Sequence, residues 1–135
     1  MDYKDGQFTK EHLRLSTEGF ELFNDQLYWE CHEVFEDLWK EDRSDNARFV
    51  WWAVIQVAAS MIHYRDEKLP GAKGLIAKAK EKFRKIEELN VETSLMYEFL
   101  DWQELKTLVD AVPEDCKLSD FADLFDFRFK HYMKD

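Results

Sequence analysis

One stretch of this sequence concentrates groups able to do chemistry: Glu30-Cys31-His32-Glu33-Val34-Phe35-Glu36-Asp37-Leu38-Trp39. Each residue of an α-helix advances about 100°, so His32 and Glu36, at i and i+4, reach toward one point above the helix. An imidazole nitrogen and a carboxylate converging in this way form half of a helical metal site. A neighbouring helix must supply the remaining one or two ligands. Downstream, Gln56, Ser60 and His63 follow at spacings of four and three, with Trp52 and Ala59 flanking the same face. A buried polar side chain costs a few kcal/mol if unpaired, so these three need partners. Antiparallel packing of the two helices would bring Gln56 and His63 to face His32 and Glu36.

The candidate cluster is therefore His32, Glu33, Glu36, Gln56 and His63, with His32, Glu36 and His63 as metal ligands and a divalent metal as the cofactor they suit. In hydrolytic form, the metal would activate water while a carboxylate accepts the proton. The same residues also suit a structural network. His32 and Glu36 would pair along their helix, Gln56 would stitch helix to helix, and His63 would meet the last carbonyls of its own helix. Glu30 and Glu33 then belong to a solvated face. Neither HExxH nor the ExxH pairs of di-iron bundles occurs, and there is no Gly-rich phosphate loop. Cys31 adjoins His32, but adjacent helical residues do not face each other, so the two are not a thiol–base pair.

The elements that must position these groups are helical. Thr9 caps a first helix running to about Phe23, weakened in its middle by Gly19. Asn24 or Asp25 ends it and caps the next, whose stripe is Leu27, Cys31, Val34, Phe35 and Leu38. After the polar run Lys40 to Asn46, Ser44 or Asp45 caps a third helix to about Arg65. Its 14-residue apolar core, Phe49 to Ile62, is too short to span a bilayer. Pro70 opens a fourth helix with the stripe Leu75, Ile76, Ala79, Phe83, Ile86 and Leu89. A short helix near Leu95 to Phe99 follows, then one from Trp102 to Val112 whose start, Asp101-Trp102-Gln103-Glu104, has capping-box spacing. Pro113 ends it. Leu118 to Met133 reads as a last helix with Phe121, Leu124, Phe125 and Tyr132 inward. The alternation Phe125-Asp126-Phe127-Arg128-Phe129 instead suits a short strand, for which no partner strand is evident.

The fold class is thus all-α, a compact bundle of five to seven helices over a single domain, residues 1–135. The 135 residues, 45% hydrophobic and 16% aromatic, can offset the entropy of ordering, and 4 Gly and 2 Pro are too few for a many-stranded sandwich or barrel. A net charge of −10 repels phosphate backbones, so no nucleic-acid partner is expected. From Gly71 to Asn90, six Lys/Arg and three Glu leave +3, so the rest of the chain carries −13. The polar N-terminus lacks the apolar segment of a signal peptide, and Cys31 and Cys116 read as reduced thiols. A cytoplasmic location with no membrane partner is the expectation.

Phe23-Asn24 followed by Tyr28-Trp29-Glu30-Cys31-His32-Glu33-Val34-Phe35-Glu36-Asp37-Leu38-Trp39 closely resembles the signature of a bacterial and archaeal family, domain of unknown function 309. The likeness continues through Ile55-Gln56-Val57-Ala58-Ala59, His63, and Gly71-Ala72 leading into Leu75. It covers residues 17–80 or so, leaving 81–135 as additional helices. The resemblance implies a compact helical bundle and no particular activity. The family's recurring polar positions fall on Asn24, Glu30, His32, Glu33, Glu36, Gln56 and His63. This chain departs from the pattern at Trp52-Ala53, where Gln-Gly is usual, and at Glu67-Lys68, where Gly-Asn is usual.

Two functions compete on these observations. The first is a non-catalytic module that binds protein or self-associates, using the aromatic surplus and the opposed charges of the fourth helix and the remainder. The second is a small-ligand or divalent-metal site between helices two and three, in its enzymatic form a metal-dependent hydrolase.

Overall fold

The computed structural model describes residues 6–132 and orders seven helices among them: α1 (Lys10–Asn24), α2 (Tyr28–Glu41), α3 (Phe49–Arg65), α4 (Leu69–Glu88), α5 (Ser94–Phe99), α6 (Trp102–Ala111) and α7 (Ala122–Asp126). Short 3-10 turns, Asn46–Arg48 and Leu118–Phe121, lead into α3 and α7. No strand occurs among the described residues, and none of their helices is long and apolar enough to cross a membrane. Met1 to Asp5 and Met133 to Asp135 lie outside the described residues, and with them the reading of the N-terminus and the end of the expected last helix.

Helix α3 is the axis of the bundle because its sequence is apolar on nearly every side. Between Val50 and Met61 only Trp52 and Ala59 reach solvent. Helices α2 and α4 flank it, both antiparallel to it. Trp39 near the end of α2 meets Trp52 near the start of α3, with ring centroids 4.7 Å apart. Arg65, ending α3, lies over the Tyr28 ring that starts α2. Gln56, Ser60 and His63 of α3 meet Lys78, Ala72 and Gly71 of α4 in turn.

Helix α1 packs on α2 through Gly19. A Cβ there would stand 2.2 Å from the Phe35 ring, so glycine permits the close approach rather than merely weakening the helix. The far side of the bundle is closed by the C-terminal elements. Phe83 of α4 packs on Trp102 of α6, and Tyr64 of α3 on Phe121 and Phe125.

Boundaries depart from the sequence reading where tertiary partners compete for capping groups. Thr9 caps α1 as expected, but its reciprocal partner is His12, whose Nδ1 accepts from the Thr9 N–H at 2.9 Å. Neither Asn24 nor Asp25 caps α2. Asp25 closes α1, Gln26 takes a left-handed φ of 60°, and Leu27 stands at the N-cap 43% exposed instead of on the buried stripe. The buried face of α2 is Tyr28, Cys31 and Phe35, with Val34 and Leu38 half-buried. Asp45 caps the 3-10 turn before α3 rather than α3 itself. Asp101 makes no side-chain cap on α6; its carboxylate accepts from the Lys130 N–H at 3.2 Å.

The largest departure is the C-terminal segment. Instead of one helix from Leu118, α7 ends at Asp126 and the chain continues extended, burying Phe127 and Phe129. While Phe125 and Asp126 stay in α7, the second half of the period-two pattern, from Phe127, thus marks extended backbone but not a strand. Its hydrogen-bonding edge is met by one side chain: Asn24 Nδ2 donates to Phe129 O, and the Phe129 N–H donates to Asn24 Oδ1, both at 2.8 Å.

Candidate functional site

Three stripes share the one face of α3 that the rest of the described chain leaves uncovered. The floor is Trp52, Ala59 and His63, at i, i+7 and i+11, all half-buried. On the α2 side run Trp29, His32, Glu36 and Trp39; on the α4 side run Gly71, Leu75, Lys78 and Lys82. Because α2 and α4 both run antiparallel to α3, residues fall into levels along it. Trp29, His63 and Gly71 lie at one end, and Glu36, Gln56 and Lys78 lie further along.

His32 is held by Trp29, whose ring stacks on the imidazole at 5.3 Å and 5° between planes. Its Nε2 lies 4.0 Å from Glu36 Oε2, beyond hydrogen-bond reach, and Lys40 Nζ takes the other Glu36 oxygen at 3.2 Å. His32 Nδ1 is buried and makes no hydrogen bond. Glu33 is exposed, further round α2.

The polar residues of α3 are committed to α4, not α2. With its amide oriented to satisfy both neighbours, Gln56 donates to Lys78 O at 2.9 Å and accepts from Trp52 Nε1 at 3.3 Å. Ser60 Oγ donates to Ala72 O at 2.9 Å. The His63 imidazole lies flat on Gly71, where a Cβ would come within 2.4 Å of Nδ1. The antiparallel packing is therefore as anticipated, but Gln56 does not turn toward His32 and Glu36. Unpaired carbonyl lone pairs on α4 are nearer acceptors for α3 than side chains on α2, and α3 and α4 meet closely at Gly71 and Ala72. Among the described residues no three His, Cys, Asp or Glu side chains come close enough to hold a metal. His32, Glu36 and His63 thus share a face without forming a ligand set.

The four tryptophans of this region divide. Trp51 is buried, with its indole N–H donating to Ser16 Oγ at 2.7 Å. Trp39 is packed between Trp52 and the Arg48 guanidinium, which sits 3.8 Å from its ring centroid. Trp29 is 59% exposed. The thiol chemistry is quiet: burial pushes the Cys31 thiol far above its ordinary range, so it stays protonated and unreactive. Burial also raises the Tyr28 phenol.

Two polar centres were not anticipated. His12 Nε2 bonds Asp45 Oδ2 at 2.7 Å, tying the start of α1 to the turn before α3, while Asp45 Oδ1 caps that turn. The spacing Thr9 to His12 is the only local signal for it, because histidine stands where Glu or Gln usually completes the capping box. Glu92 accepts from Tyr97 OH, Trp102 Nε1 and Lys106 Nζ, at 2.8 to 2.9 Å. Burial opposes the Lys106 charge, but the bonds to Glu92 and Tyr97 outweigh it and raise the ammonium pKa. No periodicity could have signalled a centre assembled from α5, α6 and the loop before them. Both centres pin loops and neither opens onto the α2–α3–α4 face.

The "Uncharacterized protein YpuF" of Bacillus subtilis (strain 168) is 30% identical over 87 residues, which are 60% of this chain and 50% of that relative. The chain thus spans about half the length of the curated relative it matches. No solved structure matches. The family model described as domain of unknown function (DUF309) matches residues 17–75, from the middle of α1 to the first turns of α4. Over residues 17–75, which hold the second half of α1, all of α2 and α3 and the start of α4, the chain is similar to the domain of unknown function 309 family.

Proposed function

We propose that this chain is a cytoplasmic, non-catalytic helical module that docks protein through the α2–α3–α4 face. The observation that carries this reading is Trp29. In a chain that buries Trp51, Trp102 and most of its phenylalanines, Trp29 is 59% exposed, at the rim of a face floored by half-buried Trp52 and Ala59. Exposed tryptophan beside a contiguous apolar strip is the composition of interface hot spots. His32 stiffens Trp29 by stacking, Glu33 and Glu36 give the α2 rim its charge, and Gln56 and His63 fix the α3–α4 floor beneath.

A second reading, a small-ligand site at His32 and Glu36 with His63 as third ligand if the ligand is a divalent metal, is favoured by the unpartnered His32 Nδ1. Elemental analysis of untagged protein purified without chelator separates the two, run beside His32→Ala and His63→Ala. The docking reading expects no stoichiometric transition metal and folded variants. Near-stoichiometric metal lost in both variants would overturn it.

A further inference from the structure

The two rims of the face carry opposite charge. Helix α2 has Glu30, Glu33, Glu36, Asp37 and Glu41 against Lys40, four net negative charges; α4 has six Lys/Arg against Glu81, Glu87 and Glu88, three net positive. On the rims themselves Glu36 stands across α3 from Lys78, at the level of Gln56. A surface with one acidic and one basic edge, parallel to each other, is complementary to itself under a two-fold rotation.

We infer that the occupant of this face is a second copy of the chain, in a dimer whose two-fold axis runs along α3. The inference rests on the docking reading above. Only two in-plane axes stack a three-helix layer on its copy. The axis perpendicular to the helices lays α2 on α2 and α4 on α4, setting like charge on like. The axis along α3 lays α2 of each copy on α4 of the other and keeps all levels aligned. Glu36 of one copy then meets Lys78 of the other, twice per dimer, and exposed Trp29 lies over Gly71 and the His63 imidazole seated on it.

The size also fits. A helix of 17 residues is about 25 Å long and neighbouring helices sit about 8–10 Å apart, giving a layer of roughly 600 Å². Standard interfaces bury about 800 Å² per partner once side-chain relief is included.

The test is sedimentation equilibrium of the full chain over a concentration series, with Glu36→Lys, Lys78→Glu and their equimolar mixture. The wild type should dimerise, and each single reversal should weaken association by about tenfold or more, since repulsion replaces attraction at both contacts. Mixing the two variants should restore it, because both contacts of the heterodimer again join an acidic side chain to a basic one. A wild type that stays monomeric throughout overturns the second-copy inference. So does a dimer indifferent to either reversal, or one not rescued by mixing. A monomer free of metal removes only this inference, whereas bound metal removes the docking reading beneath it.

Discussion

Replacing Gly19 by alanine tests the packing that sets α1 against α2, because two opposed effects of known size meet there. Alanine is better than glycine inside a helix by about 1 kcal/mol, so helix propensity alone predicts a more stable protein. The new Cβ, however, would lie 2.2 Å from Phe35 Cε1, 2.3 Å from Cζ and 2.8 Å from Cδ1, where carbons rest at about 3.5–4.0 Å. The Phe35 ring is fully buried and held edge-on against Phe20 at 5.2 Å, so it cannot swing clear. Overpacking costs about 1–3 kcal/mol, and three ring atoms in conflict put this site at the upper end. The net is a loss of about 2 kcal/mol, or roughly 6–10 °C in Tm for a chain of this size. Urea denaturation followed by far-ultraviolet circular dichroism measures it, with an unchanged m-value showing that only stability moved. In a Phe35→Leu background the steric conflict is removed and Gly19→Ala should instead stabilise, by up to about 1 kcal/mol. A Gly19→Ala protein as stable as wild type would refute the reasoning, as would one whose loss simply adds to that of Phe35→Leu.

Asn24→Ala removes both bonds to the Phe129 backbone and should cost about 2 kcal/mol, with hydrogen-exchange protection lost at the Phe129 amide. An amide that stays protected would mean that burial of Phe127 and Phe129 alone holds the segment. Glu67→Gly relieves a left-handed φ of 59° at the end of α3 and should raise stability by about 0.5–1 kcal/mol, visible as a higher urea midpoint. Cys31 and Cys116 are buried, so a disulfide-exchange reagent should label neither within minutes in native protein and both in denaturant. The raised Cys31 thiol is neutral when folded and ionises when unfolded. Its contribution to stability is therefore complete below the ordinary thiol range and declines as pH rises above it, an alkaline slope that Cys31→Ala should lessen.

The local signals were legible because they act over one or two turns. Thr9 by its side-chain cap, and Pro70 and Pro113 by their backbone chemistry, mark helix ends, and the 3.6-residue period of α4 located Ala79, Phe83 and Ile86 in the core. Asn24 shows where such reasoning stops. Its type suits a cap, yet its amide is drawn to Phe129, 105 residues away, by an extended backbone edge that has no strand to pair with. Phe125 to Phe129 likewise fits a helix by composition and extended chain by alternation. Phe125 and Asp126 complete α7, and contact of Phe127 and Phe129 with Phe20 and Phe23 of α1 decided for extended chain beyond them.

The candidate site divides in the same way. Sequence by itself determined that His32 and Glu36 share an edge of α2, that Trp52, Ala59 and His63 share a face of α3, and that α4 is basic while α2 is acidic. These are consequences of helical period and composition. Only the tertiary structure decided that Gln56, Ser60 and His63 turn to α4, where the Lys78 and Ala72 carbonyls and the bare backbone of Gly71 receive them. Helical periodicity fixes the direction of a side chain about its own axis, but not which neighbour stands there. That depends on how closely two helices approach, and glycine and alanine at the α4 contact let α3 come near enough for its polar groups to find backbone instead of His32 and Glu36.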